Sequence, residues 1–379
     1  MNPALTQDQV LTADELQRRV IEPDEFVADT SAFIDVRIPG SAGKASYSMI
    51  GPGVSQNADQ AINVAEPHGF NIGAASMPPG VVNNQHLHYT AEVFICTTGR
   101  WEMRLGQQGE QRLEVGPGSV FSVPTWVFRG FRNIGEGDGW LFAVLGGDDT
   151  GGILWAPEVL EAAAETGLFL SADYDVVDTT AGQTVDDPVR PVSEGLLDAL
   201  DHYSDDEIAQ RVVTRDELAW SDQALLGAIG CAAEVALAPV IGFGLSEDRH
   251  HRPPIWNPHG FSLEWLRLGP GASTGLHAVD RPMAYLTLEG DAEVVCNRDP
   301  ADRVRAQPTE GSVLSMPAGV WRELSNPGDQ PAIVAVVRQG DQRCPIRWDE
   351  AVAAAADHAG WSIDAGGYLA PIGLLARRV

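Results

Sequence analysis

The sequence repeats itself, and this constrains its fold more than any other feature. Pro67-His68-Gly69-Phe70 recurs as Pro258-His259-Gly260-Phe261, an offset of 191 residues. At the same offset Gly80 matches Gly271, His86 matches His277 and Gly99 matches Gly290. Further along, the offset becomes 193: Gly118 matches Gly311, Pro124 matches Pro317, Arg129 matches Arg322 and Asn133 matches Asn326. One insertion of two residues between the blocks explains the change. The chain of 379 residues therefore reads as a duplicated domain, and it is long enough to hold two cores.

Each copy has the signature of a β domain. From about Phe33 the chain runs in short alternating segments broken by Gly, Pro and Asn, and it contains 40 Gly and 25 Pro. Helix signals lie outside these stretches. Thr12 with Glu15 forms a capping box ahead of Leu16 and Val20. Pro157 suits the first turn of a helix through Val159, Leu160 and Ala163, stopped by Gly167. Ser204 with Glu207, and Thr214 with Glu217, repeat the capping-box pattern. The polar stretch 179–191 reads as linker. The division expected is an N-terminal helical arm (1–32), a first barrel (33–150), a helical linker region (151–234), a second barrel (235–343) and a C-terminal tail (344–379).

Charge and cysteine usage narrow the function. With 25 basic against 53 acidic residues, the formal net charge is −28. Such a surface repels phosphate backbones and anionic membranes, so neither nucleic acid nor membrane is an expected partner. No run of about 18 apolar residues occurs, and the N-terminus lacks the basic flank and apolar core of a signal peptide. Cys96, Cys231, Cys296 and Cys344 lie far apart with no CxxC pair, which fits a reducing cytoplasm and no cysteine-built zinc site.

The chemistry is concentrated in the first copy, which reads Gly80-x5-His86-x-His88-x3-Glu92-x6-Gly99. On a strand, residues two apart face the same side, so His86 and His88 project into one interior. Glu92 keeps the same parity if the strand continues. Two imidazoles and a carboxylate on one face of a metal leave other positions open for water, dioxygen or substrate.

This pattern resembles the first motif of the cupin family. The family's second motif, Gly-x5-Pro-x-Gly-x2-His-x3-Asn, is matched by Gly118-x5-Pro124-x-Trp126-x2-Arg129-x3-Asn133. Trp126 replaces the usual glycine, and Arg129 replaces the histidine that usually serves as fourth ligand. In the second copy His277 is kept, but Val279 and Met283 stand where the second histidine and the glutamate belong, and Arg322 again replaces the second-motif histidine. One imidazole does not hold a divalent ion, so the second barrel is expected to lack a metal. The length, the duplication and the Pro-x-Trp resemble the gentisate and salicylate 1,2-dioxygenase branch. The retained glutamate resembles quercetinase-like bicupins, which also keep the histidine that Arg129 replaces.

The resemblance implies an all-β protein of two tandem jelly-roll cupin barrels. It further implies one divalent metal per chain at His86, His88 and Glu92, with Fe(II) favoured and Mn, Ni, Zn or Co open. The expected activity is a non-haem Fe(II) dioxygenase acting on a small aromatic or enolic oxygenated substrate. The alternatives are a Lewis-acid isomerase, lyase or hydrolase, and a non-catalytic small-ligand-binding bicupin. The partners expected are a small-molecule substrate, dioxygen and further copies of the chain in a homo-oligomer.

For Arg129 two readings stand side by side. Its guanidinium can grip a substrate carboxylate, or it can serve the barrel structurally, as Arg322 is expected to do. Cys96 is expected to pack, His68 and His259 to be structural, and Trp126 and Phe131 to form cavity wall. The pair His250-His251 is expected in a solvated loop.

Overall fold

The computed structural model describes residues 7–375. They form an all-β structure with a few short helices, none long and apolar enough to cross a membrane. Residues divide into two units, Phe26–Asp216 and a second made of Glu217 onward with the segment ending at Glu25.

In the first unit two sheets face each other. One has the order Ile153–Trp155, Val82–His88, Arg129–Asn133, Trp101–Leu105, Gln111–Val115. The other runs Val212–Val213, Val120–Val123, Glu92–Thr98, Gly139–Gly146, Phe70–Met77, Ala45–Ile50, Ile62–Val64. Apart from the hairpin Trp101–Leu105/Gln111–Val115 and the neighbours of Ala45–Ile50, adjacent strands are far apart in sequence, as jelly-roll connections require. Between the sheets pack Phe94, Trp101, Met103, Phe121, Phe131 and Leu141, all buried. Burying each such side chain contributes about 1.5–3 kcal/mol.

The second unit repeats the plan. Its five-stranded sheet, Ile346–Trp348, His277–Val279, Trp321–Ser325, Glu293–Cys296, Val304–Ala306, has the same strand order as its counterpart at offsets of 191 and 193. Its core includes Leu266, Met283, Tyr285, Leu314, Val334 and Val336.

The division differs from the one read in the sequence. The segment before Glu25 is built into the second unit, where Val20–Ile21 pairs antiparallel with Val313–Met316. Residues 151–216 are built into the first, where Val212–Val213 pairs with Val120–Val123. Each short strand covers a sheet edge that would otherwise expose unpaired backbone groups. Both are preceded by a helix with a complete capping box, Ala13–Gln17 after Thr12 and Asp205–Ala209 after Ser204. The duplication thus extends beyond the barrels, and each helix-strand segment joins the barrel of the other copy. The C-terminal stretch is part of the second unit as well, through strand Ile346–Trp348 and helix Glu350–His358.

The second core also buries an acid. Glu264, on Phe261–Leu268, is fully buried and accepts hydrogen bonds from the backbone N–H groups of Leu245 (2.7 Å) and Ser246 (3.2 Å). Gly244 (φ +52°) must be glycine here, because a Cβ would lie 2.0 Å from the Glu264 carboxyl. Burial pushes Glu264 up from 4.5 to about 7, against the pull of the two N–H groups and Arg338. Between those pH values the folded protein keeps a proton that the unfolded chain has released. Its contribution is therefore favourable below pH 4.5 and is lost as pH rises through 7. Relative to Glu264→Gln, wild-type stability should fall by roughly 1.4 kcal/mol per pH unit across that window and level off above it. Denaturant unfolding of both proteins at pH 5 and pH 7.5 (roughly the window's two ends) checks this. An unchanged difference contradicts the assignment.

Candidate metal centre

His86 and His88 lie two apart on strand Val82–His88 and both face inward, as their spacing predicts. Their rings stand 4.9 Å apart and nearly perpendicular. The His86 Nδ1–H donates to the Asn84 carbonyl (2.7 Å), which leaves the Nε2 lone pair for a ligand.

Glu92 arrives by a different route from the one expected. The strand ends at His88, the chain bends through Tyr89–Ala91, and Glu92 opens strand Glu92–Thr98 in the opposite sheet. The triad therefore spans both sheets, with Glu92 Oε2 3.4 Å from His88 Nε2. One ligand atom from each of the three residues lies within 4.8 Å of the others. Among the described residues this is the group of His, Cys, Asp or Glu so arranged.

The electrostatics suit a cation. Burial, reinforced by Arg129, depresses His86 to about 3 and His88 well below its ordinary value, so both imidazoles are neutral, the form a metal ion binds. Burial raises Glu92 to about 7 even though Arg129 favours its ionised form. Neither Nε2 of His88 nor Oε2 of Glu92 completes a hydrogen bond, although a backbone contact with Gly152 acts on the His88 ring and Arg129 Nε lies 3.3 Å from Glu92 Oε2. An unmet buried polar group costs about 1–3 kcal/mol, and lone pairs left unmet together are what a metal ion takes up. The donor set of two imidazoles and a carboxylate fits a divalent ion.

The three residues border a cavity of about 80 Å³ between the sheets. Its walls are largely apolar, with Phe33, Phe94, Phe131 and Leu141, and its polar groups include Lys44 and Asn83. Sequence parity missed Asn83. A bulge between Asn83 and His86, opposite Arg129 and Phe131, brings Asn83 onto the histidine face.

Residues 74–145 match the family described as Cupin domain. A structure of oxalate decarboxylase from Bacillus subtilis at pH 4.6 aligns over 90% of this chain and 80% of that chain, with 12% identity and a TM-score of 0.51. A second oxalate decarboxylase structure, concerned with substrate binding mode and a switch of reaction specificity, aligns with the same coverage, 12% identity and a TM-score of 0.52. A third, concerned with the Mn(II) centres of the Bacillus subtilis enzyme, has 12% identity, a TM-score of 0.51 and the same coverage. The chain is a bicupin by fold. No curated protein matches it by sequence.

Within this bicupin the two equivalent arginines differ in their surroundings. In the second barrel, Arg322 donates to Tyr285 Oη (3.1 Å), the Val320 carbonyl (3.0 Å) and Met283 Sδ (2.7 Å). Met283 and Val279 occupy the places of Glu92 and His88, so the arginine is satisfied where the ligands are gone. In the first barrel, Arg129 Nε lies 3.3 Å from Glu92 Oε2, Nη2 reaches only the Pro124 carbonyl (3.4 Å), and Nε and Nη1 make no hydrogen bond. Burial lowers Arg129 to about 10. Its guanidinium is not part of the cavity wall. That position favours the structural reading, through Glu92, over the grip on substrate that the sequence also allowed.

The remaining residues separate similarly. Cys96 packs in the first core, and burial raises its thiol far above the usual range. His68 and His259 make matching contacts, their Nδ1–H donating to the carbonyls of Glu66 and Asn257, both at 2.6 Å. Phe131 is cavity wall, as expected. Trp126 is not. It is 46% exposed against Tyr89 and holds φ +58°, the left-handed conformation for which glycine is the ordinary residue. His250 is exposed, but His251 is buried against Ser246 Oγ (2.6 Å) rather than solvated.

Proposed function

We propose that the first barrel is a mononuclear divalent-metal enzyme acting on a short, anionic, oxygenated acid. The observation that carries this reading is the buried, partly unsatisfied His86, His88 and Glu92 bordering a largely apolar cavity. A divalent ion there supplies Lewis acidity to a substrate oxygen and, if redox-active, a place for dioxygen.

The chain's own residues do the rest. His86 is held in the ligating tautomer by the Asn84 carbonyl. Arg129 favours the ionised form of Glu92. Phe94, Phe131 and Leu141 exclude water from the reacting group. At about 80 Å³ the cavity is far below the roughly 300–1,000 Å³ of pockets for drug-sized ligands. That supports a short enolic or carboxylic acid over an aromatic ring bearing several substituents.

Fe(II) oxygenase chemistry is the first reading. Lewis-acid chemistry of the lyase type is the second, favoured by the small cavity and by the likeness in fold to proteins that act as oxalate decarboxylases. The test is metal analysis of the full chain purified without a metal-binding tag. Turnover of short 2-oxo, enolic and dicarboxylic acids is then assayed with and without oxygen. About one tightly bound ion per chain, the stoichiometry of a mononuclear site, and turnover of a short acid are expected. Oxygen consumption selects the first reading, and equal anaerobic turnover selects the second. Protein without bound metal overturns both.

A further inference from the structure

The cavity wall contains the only lysine in the sequence, Lys44. All other members of the 25 Lys+Arg are arginine. Lys44 is also among the most buried cations, at 6% exposure.

It is held from behind. Its Nζ donates to Asp35 and to Asn83 Oδ1 (2.8 Å). Asp35 is fully buried, and its other oxygen accepts from the Asn84 backbone N–H (3.1 Å) and side chain (2.9 Å). Lys44 and Asn83 line the cavity and Asp35 does not, so the acid lies behind the lysine. Phe33, also on the wall, has its ring centre 5.5 Å from Nζ. Two of the three ammonium donors are taken, and the third is left for a ligand.

The duplication supplies an internal control. Lys44 and Asn83 become Val235 and Thr274 at the 191-residue offset, and Asp35 becomes Gly227, because matching backbone hydrogen bonds equate Ile34 with Leu226. The arginine of the second motif is present in both barrels. The Lys44–Asp35 pair occurs only where His86, His88 and Glu92 occur together. A buried ion pair is seldom better for stability than apolar packing, so its restriction to this barrel points to the ligand. Lysine also suits the space, being a compact charge with rotatable donors where arginine would bring a rigid fork.

We infer that Lys44 is the binding residue for the carboxylate of the substrate, seated by Asp35 and Asn83 and lining the same cavity as His86. The inference deepens the proposed function by naming what recognises the substrate's charge.

The experiment titrates acetate, with acetamide as the neutral isostere, into the metal-loaded full chain by calorimetry. Wild type should bind acetate and not acetamide. Lys44→Gln should lose about tenfold or more in acetate affinity, the scale of a lost charge-assisted hydrogen bond, at unchanged metal content. Lys44→Arg should recover part of the loss. Because Lys44→Gln leaves Asp35 buried and unpaired, the double variant Asp35→Asn/Lys44→Met is measured beside it, and it should fold and bind acetate as weakly.

A second readout uses the uniqueness of the lysine. Acetate should slow amidination of Lys44, read by peptide mass, without slowing that of the N-terminal amine. Equal acetate binding by wild type and both variants, no binding by wild type, or no protection of Lys44 overturns the inference. Metal-stripped His86→Ala separates it from the metal assignment. Acetate binding there that still depends on Lys44 upholds the lysine site, whatever the metal analysis shows.

Discussion

Replacing His86 by alanine should remove the metal from the first barrel. Two remaining donors, His88 and Glu92, cannot close one face of an ion, and no fourth protein ligand stands by, since Arg129 takes the place of a second-motif histidine. Loss of a residue that merely orients a ligand costs roughly 10–100-fold in metal affinity, so loss of a ligand should cost at least about 100-fold. Activity should fall with occupancy. Metal content after dialysis against a weak chelator, compared with His277→Ala, gives the measurement. His277 is the matching histidine of the second barrel, with its Nδ1–H on the Gly275 carbonyl (2.8 Å), but Val279 and Met283 leave it without co-ligands. Its variant should retain full metal. Equal retention by both variants would place the ion elsewhere.

Replacing Arg129 by methionine should produce the largest loss of stability, and the loss should be greatest in the metal-free protein. Arg129 and Glu92 are both at least 94% buried by side chain and face each other at 3.3 Å. Removing one member of such a pair leaves an uncompensated buried charge, at a cost of roughly 3–5 kcal/mol. Bound metal restores a positive neighbour for Glu92, so the loss should shrink when the ion is present. Arg322→Met is the control. Its hydrogen-bond partners are a hydroxyl, a carbonyl and a thioether, none charged, so its removal strands no carboxylate. Denaturant unfolding with and without metal should show a destabilisation that depends on metal for Arg129→Met and one that does not for Arg322→Met. A metal-independent loss would mean that Arg129 serves the barrel and not Glu92.

These variants rest on contacts of two kinds, and only one kind was readable beforehand. The repeated Pro-His-Gly-Phe turns, the offsets of 191 and 193, and the two-residue spacing of His86 and His88 are properties of neighbouring residues. A strand alternates its faces whatever packs upon it, so the duplication, the strand-rich fold and the inward histidines followed directly. The capping boxes at Thr12 and Ser204 are local as well, and both close as hydrogen bonds in the structure.

Tertiary structure decided the rest. The same helix-strand signal precedes each barrel, yet which edge it covers depends on sheets distant in sequence, Val313–Met316 for Val20–Ile21 and Val120–Val123 for Val212–Val213. Glu92 shares the parity of the histidines by count but reaches them from the facing sheet, because a bend intervenes. A single bulge moved Asn83 onto their side. Lys44, in the sequence a lone cation between Gly43 and Ala45, gains a role only when Asp35 and the cavity close around it. Alternation along one strand is set by backbone geometry, whereas the partner across a barrel is chosen by how two distant segments pack.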